Sequence, residues 1–497
     1  MMQLAGRLLL AVLAGACLEL SFPEPGIWVL AFVGVALVAW ALLGARLIEA
    51  VLVGLIAGGV LWLGLIRWLT LYLGPVPWLA LGILQTLFFS LGTIALWFVL
   101  NRLPRVITNE YVRVSLTAVC GAAVWSAREV VTASWPYGGF SWARLAQSQS
   151  ESPLRFLVAW GGTAFLSFVV AFIALLVVQI VGSVQHRMSL AVGWGTLVML
   201  LCLVPSPATA LAGSTNVLAV QGNSKAGLFD NRTSGQIFMD HVSGSLPFAG
   251  RPVDMIVWPE NATDVSPLTS VAAAKTLSAV SQKLNAPIVT GAVVQDPDGS
   301  WYNSSLVWTA QDGLAGRYDK IHPVPFAEYM PDRSFWRQFA PDLVDLVGYD
   351  YRAGNRAPVV EVAGVSAGIT ICFDITSEQQ LREMTAGGAQ LILAQTNNAD
   401  FGKTDENLQQ LAITRLAAIE TGRSIVNIST VGTSAVLSPS GATLDSLPAY
   451  EPGAMLTSVP LATHLTPAMS VAPFADMSVI FVAIAGLCCG VRWRRKP

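Results

Sequence analysis

Three short stretches, far apart in the chain, each bring a reactive side chain to the expected tip of a strand. Met255-Ile-Val-Trp-Pro-Glu260 stops at a proline and delivers a carboxylate. Gly316-Arg-Tyr-Asp-Lys320-Ile-His-Pro-Val-Pro-Phe-Ala-Glu328 offers an ammonium, then two prolines that stiffen the path, then a second carboxylate. Gly364-Val-Ser-Ala-Gly-Ile-Thr-Ile-Cys372 is a β-branched run that ends in a thiol, with a helix expected from near Thr376. Cys372 is the only cysteine between about residues 213 and 470, and the other five lie in strongly apolar segments, so it has no disulfide partner in its own part of the chain. Singly, each group has an ordinary explanation: exposed Glu and Lys are solvated, and a free Cys packs as a small hydrophobe. Together they are the set that acyl transfer through a thiol requires. A thiolate attacks a carbonyl, a carboxylate takes and returns a proton, and a cation stabilises both thiolate and oxyanion.

Strands must carry these groups. Short apolar runs bounded by Gly, Pro, Asn or Asp occur at Asn216–Val220, Met255–Trp258, Pro287–Val294, Ser305–Trp308, Val365–Cys372, Leu391–Gln395, Ser424–Ile428 and Ala435–Leu437. Helical patterns lie among them at Ser266–Leu284, Thr376–Gly387 and Asp405–Gly422. The alternation predicts a layered α/β domain of roughly 250 residues. In such a sheet a side chain at the carboxyl end of a strand faces the crevice where ligands bind.

The remainder of the chain is of another kind. It has 497 residues, 54% hydrophobic and only 12% charged, which excludes an ordinary soluble protein. Apolar runs fall at Leu4–Leu20, Ile27–Gly44, Ile48–Leu65, Trp78–Leu100, Val114–Val131, Phe156–Val181, Leu190–Val204 and Met477–Val491. These read as about eight transmembrane helices, the first and last of them short. The expected division is residues 1–210 for seven spans, 211–472 for the α/β domain, and 473–497 for the last span and a basic tail. If the spans alternate, Arg7, Arg46, Arg102, Arg105, Arg113, Arg187 and the tail Arg492-Trp-Arg-Arg-Lys496 share one side. By the positive-inside rule both termini are then cytoplasmic and the large domain lies outside. A net charge of −2 gives no sign of nucleic-acid binding.

Trp258-Pro-Glu260, Tyr318-Asp-Lys320 and Ile371-Cys372-Phe resemble the Glu-Lys-Cys triad of the nitrilase superfamily. With the membrane frame, the chain is similar to the integral-membrane branch of that superfamily, the apolipoprotein N-acyltransferases. Pro325-Phe-Ala-Glu328-Tyr, Thr396-Asn-Asn-Ala-Asp-Phe-Gly402 and Gly139-Phe-Ser-Trp142 with Ser148-Gln149 resemble family motifs in family order. The resemblance implies a nitrilase-like αββα sandwich on a membrane bundle of eight helices. It implies Glu260 as general base, Lys320 as oxyanion stabiliser, Cys372 as nucleophile, and Glu328 as a carboxylate that orients Lys320. Phe140, Trp142, Trp336 and Asn397 are the candidate substrate contacts. Asp374 is an auxiliary residue that departs from the family, where Glu is common at that place; many members carry Trp where Asp400 stands.

The implied reaction moves a fatty acyl group from a phospholipid through a cysteine thioester to the α-amino group of a diacylglyceryl apolipoprotein, at a bacterial plasma membrane. Two other readings remain open: a membrane-tethered amidase that passes the acyl group to water, and a platform for a polyprenyl-phosphate mannosyl synthase. Gly364-Val-Ser366-Ala-Gly368 matches a nucleophile-elbow pattern but opens a strand instead of ending one, which argues against a serine hydrolase. Four histidines, none in an H-E-x-x-H arrangement, make no case for a metal, and the chemistry calls for no cofactor. Two segments carry alternative readings. The 135–149 loop is either an interfacial aromatic belt or the floor of a lipid-side cavity. Phe335, Trp336, Phe339 and Leu343 are either a core-packing helical stripe or an amphipathic lid.

Overall fold

The computed structural model describes residues 3–183, 185–207, 210–227 and 230–492. The basic tail expected after Arg492 lies outside the described residues. The chain divides into two compact units, one formed by residues up to Pro207 together with those from Pro467 onward, the other ending at Thr466.

In the helical unit, five helices among the described residues are long and apolar enough to cross a membrane: Leu47–Leu65, Pro75–Arg105, Glu110–Thr132, Pro153–Val181 and Ala468–Gly490. Three more apolar segments form shorter helices, Leu4–Leu20, Val29–Leu42 and Arg187–Cys202, of 17, 14 and 16 residues. All eight expected segments are thus helical, and five of them meet the length and composition of a span by themselves. Helices approach closely through small residues: a Cβ on Gly54 would stand 2.6 Å from Cα of Ser90. Two ion pairs are held in this unit, Arg7 with Glu49 at 3.4 Å and Arg128 with Glu129 at 3.2 Å. Arg128 also lies over the rings of Phe89 and Trp125.

The aromatic loop is largely internal to this unit. Residues 141–150 are buried, with the main-chain N–H of Leu145 donating to Glu129 Oε1 (3.2 Å) and that of Ala146 to Ser167 Oγ (3.0 Å). Trp135, by contrast, is exposed.

The second unit stacks two six-stranded sheets. The first has strand order β12-β1-β2-β3-β4-β5, with β1 Leu211–Gln221, β2 Met255–Val257, β3 Ile288–Gln295, β4 Trp301–Thr309, β5 Gly313–Asp319 and β12 Gly453–Ala462. The second has order β11-β10-β9-β8-β7-β6, with β6 Val359–Val362, β7 Val365–Ile371, β8 Leu391–Thr396, β9 Ser424–Ser429, β10 Ala435–Leu437 and β11 Thr443–Ser446. The central pairs β1–β2, β2–β3, β7–β8 and β8–β9 are parallel.

Strand alternation explains why the central strands are apolar throughout. Val217 and Ala219 of β1, Met255 and Val257 of β2, and Ile369 and Ile371 of β7 meet between the sheets. Leu218, Val220 and Ile256 face the other way, onto Phe238 and Val242 of the helix Gln236–Ser245 and Leu277 and Val280 of the helix Val271–Leu284. Both faces of the sheet are covered, so no polar alternation survives in the sequence. The helices Glu378–Ala386 and Glu406–Thr421 pack on the second sheet, against β7 and β9. The layers are therefore helix, sheet, sheet, helix.

All eight strands read from the sequence are present, and β5, β6, β11 and β12 join them. The stripe at 333–347 is not one helix. Two short helices, Arg333–Trp336 and Pro341–Leu346, are separated where Pro341 opens the second. Trp336 packs on Met330, Val344 and Val347, whereas Phe335 and Phe339 remain exposed. The expected single amphipathic face is thus split between inward and outward aromatics.

Candidate active site

Glu260, Lys320 and Cys372 each stand just beyond a strand end, on β2, β5 and β7 respectively. After β2 the chain runs through Trp258 and Pro259, and the Glu260 turn lies hard against β3. A Cβ on Gly291 would sit 2.6 Å from Cα of Glu260, so only glycine at that position lets the turn approach. Lys320 is fixed at its main chain, donating its N–H to Asn303 O (2.8 Å) and accepting that of Gly354 (2.8 Å).

Cys372 follows β7 in a left-handed conformation, φ 51°, and opens a single 3-10 turn, Cys372–Thr376. For a residue with a Cβ this costs about 1–2 kcal/mol. The break turns the side chain: strand parity would send it outward with Thr370, yet Cys372 packs against the cluster between the sheets. The expected helix starts later than Thr376, with Ser377 as its N-cap.

Two carboxylates and one amide surround the Lys320 ammonium. Its Nζ lies 2.7 Å from Glu328 Oε2 and 3.8 Å from Glu260 Oε1. Asn303 Nδ2 donates to both acids, at 2.7 Å to Glu260 Oε1 and 2.9 Å to Glu328 Oε1. The Val324 N–H donates to Glu328 Oε2 at 2.7 Å. Lys320 is 1% exposed, so its charge has almost no water and depends on these partners.

Burial and these neighbours set the proton affinities. Burial pushes the Glu260 carboxyl up to about 7; Lys320 opposes the rise, and N–H donors from Asn303 and the main chain of Asn397 add to that opposition. Burial works against the Lys320 charge, but Glu328 and Glu260 more than offset it and hold the ammonium firmly protonated. Burial, and then the Glu260 carboxylate, push the Cys372 thiol well above its ordinary range, with Lys320 pulling the other way. At neutral pH the resting site therefore holds a neutral thiol beside a carboxyl poised to exchange its proton.

Asp374 is wholly buried, and its carboxylate takes protein donors: the Tyr318 hydroxyl at 2.7 Å and the main-chain N–H groups of His322 (3.0 Å) and Ile371 (3.2 Å). It ties the Cys372 turn to the segment after Lys320. Asn397 reaches Glu260 through its main chain, because its side chain is bonded to Ala226 O and Thr430 Oγ1. Trp336 packs with Phe326, at 5.4 Å between rings. Phe140 and Trp142 belong to the helical unit and stack on each other at 5.9 Å.

Sequence reasoning missed Asn303, whose only signal is an amide inside a β-prone run. It also missed a buried polar group that reaches the thiol through Gln410, formed by Asn398, Glu406 and Gln410. In sequence these are two amides and a first-turn acid of an ordinary helix.

Residues 184–464 match the family model for carbon-nitrogen hydrolases, and residues 14–176 match that for the apolipoprotein N-acyltransferase N-terminal domain. An apolipoprotein N-acyltransferase of Mycolicibacterium smegmatis is 31% identical over 388 residues, 69% of this chain and 63% of the relative, so the match spans under two thirds of that protein. One of Photobacterium profundum is 26% identical over 93% of this chain and 90% of its own length. An amidase from Nesterenkonia sp. superposes on 53% of this chain at 15% identity with a TM-score of 0.40, too loosely to argue from. The chain belongs to the carbon-nitrogen hydrolase family, in the branch whose members carry the apolipoprotein N-acyltransferase N-terminal domain.

Proposed function

We propose that the protein is an apolipoprotein N-acyltransferase working by a ping-pong mechanism on Cys372. One observation carries this reading: a neutral thiol on a left-handed turn, beside a carboxyl held near neutrality and a dry ammonium. The name of the relatives, apolipoprotein N-acyltransferase, supports an apolipoprotein amine as the acyl acceptor; the proposed donor is a phospholipid and the proposed acceptor carries a diacylglyceryl group.

In the first half, Glu260 takes the thiol proton as sulfur bonds to the ester carbonyl of the phospholipid. Lys320 faces the tetrahedral oxyanion. The carbon–oxygen bond breaks, Glu260 returns the proton to the leaving lysophospholipid, and a thioester remains. In the second half, the acceptor amine attacks the thioester, Glu260 takes the amine proton, the carbon–sulfur bond breaks and the thiol is restored. Glu328 keeps Lys320 charged and placed throughout. Two lipid-anchored substrates at a membrane, and a site shielded from water, favour transfer over hydrolysis.

Eight spans with cytoplasmic termini and an extracytoplasmic catalytic unit in a bacterial plasma membrane form part of the same proposal. The positive charges of the sequence and the family membership support it. A mannosyl synthase partner finds no support among the named relatives.

The test incubates purified protein with phospholipid and weighs the Cys372 peptide. An acyl mass is expected, absent in Cys372→Ser, and it should pass to an added diacylglyceryl lipopeptide. Acylation of the Cys372→Ser protein refutes the scheme, and free fatty acid as sole product with lipopeptide present identifies a hydrolase instead.

A further inference from the structure

The reaction proposed above uses Glu260, Lys320 and Glu328, yet the sulfur has a second polar neighbour. Gln410, on the helix Glu406–Thr421, places its Nε2 4.0 Å from Cys372 Sγ. An amide can face a sulfur with its oxygen or its NH2, and the difference decides whether it opposes or supports a thiolate. Here the surroundings settle the direction.

Asn398 is buried, and its side-chain bonding capacity is fully used. Its Oδ1 accepts from Ser429 Oγ at 2.6 Å and from Thr396 Oγ1 at 2.9 Å. Ser429 Oγ itself accepts the Gly432 N–H (3.3 Å), which leaves its own proton for Asn398. With the oxygen thus occupied, the Asn398 NH2 points the other way. It donates to Glu406 Oε2 at 2.8 Å and to Gln410 Oε1 at 2.8 Å. Since the Gln410 oxygen is held by Asn398, its NH2 must face the sulfur.

We infer that Gln410 is a hydrogen-bond donor that stabilises the Cys372 thiolate, with Asn398 and Glu406 as the positioning residues that fix its direction. The donor reaches sulfur from the helix layer, through contacts that do not involve Lys320. A donor at 4.0 Å is loose for a thiol and shortens when the sulfur carries charge.

Glu406 accepts from Asn398 in either protonation state, but its charge opposes a thiolate at Cys372. Burial raises its carboxyl to about 8, partly countered by the Asn398 donor and further raised by Glu260. The titratable groups that sense it are Glu260, Cys372 and Tyr450. Once ionised, it places a second anion near the sulfur and works against the thiolate.

The test rests on Cys372 being a reactive thiol but not on acyl transfer. Full-length protein is alkylated with iodoacetamide from about pH 6 to pH 10 and the Cys372 peptide is quantified by mass. Gln410→Leu should slow alkylation at neutral pH by roughly 10- to 100-fold, the usual value of one donor to a charged acceptor. Gln410→Glu, which keeps the acceptor for Asn398 but turns an acidic group to the sulfur, should slow it at least as much. Glu406→Leu should resemble Gln410→Leu, whereas Glu406→Gln should recover the neutral-pH rate and remove the brake that the parent shows above about pH 8. A thermal midpoint close to the parent's shows that each variant is folded. Parent-like alkylation by folded Gln410→Leu and Gln410→Glu at every pH overturns the proposal. So does a Glu406→Gln profile that overlays the parent's. If acyl transfer fails but these shifts appear, the donor stands and the assigned reaction does not.

Discussion

Replacing Lys320 by methionine removes a buried cation that faces two carboxyl groups, the partly buried Glu328 and the buried Glu260. Glu328 Oε2 loses its partner at 2.7 Å and Glu260 Oε1 its partner at 3.8 Å. An uncompensated buried carboxylate costs about 3–5 kcal/mol. Glu260 escapes most of that cost at pH 7 because its carboxyl already sits near neutrality, so the loss falls mainly on the Glu328 contact. Lys320→Met should therefore lose roughly 3–4 kcal/mol at pH 7, about 6–16 °C in the unfolding midpoint of a domain this size. The Glu260 share of the penalty should vanish as pH falls below about 7, where its carboxyl is already protonated. Lys320→Met/Glu328→Gln removes both ends of the short pair and should regain most of the stability. Acyl-enzyme formation should stay at least ~100-fold below the parent in both variants, because the oxyanion has lost its cation. Thermal unfolding at several pH values and acyl-mass kinetics on Cys372 read the two effects separately. If Lys320→Met is as stable as the parent at pH 7, or the second substitution restores nothing, the buried charge pair is not what holds this site.

Asn303→Leu deletes the donor shared by Glu260 and Glu328, one of the influences that lower the Glu260 proton affinity. The midpoint of the pH–rate curve for acyl-enzyme formation should move upward, with a loss of roughly 10- to 100-fold at pH 7; an unmoved midpoint contradicts the assignment. In the parent, that rate should fall about tenfold per pH unit below about 7 as Glu260 becomes protonated. Stability should show the opposite trend. Because the folded Glu260 carboxyl sits above its ordinary 4.5, the native protein retains a proton that the unfolded chain has released. Its stabilising contribution is complete below about pH 4.5 and is lost as pH rises through about 7. Glu260→Gln should flatten that part of the unfolding-midpoint curve, and an unchanged slope counts against the raised carboxyl.

Much of this protein was legible in one dimension, because the features concerned are local. A helix that faces lipid and a strand covered on both faces need continuous apolar residues, and those runs stand out whatever the rest of the chain does. Glu260 and Cys372 stand out for a related reason, each being a reactive group just past an apolar run where a strand must end, whereas Lys320 is singled out by its motif. Pairing across long intervals is another matter. β12 joins the sheet by lying antiparallel to β1, more than two hundred residues earlier, and β5 carries two glycines and two charged residues over seven positions, so neither announces itself. Only the folded chain decides that Glu328, rather than Glu260, sits directly on the ammonium, and that Asn303 spans both acids. The same holds for the direction of the Gln410 amide, which is set by Thr396 and Asn398 from one stretch and Ser429 from another. Hydrophobic pattern determines which faces leave water. What a polar side chain does once buried depends on the partners that distant segments bring to it.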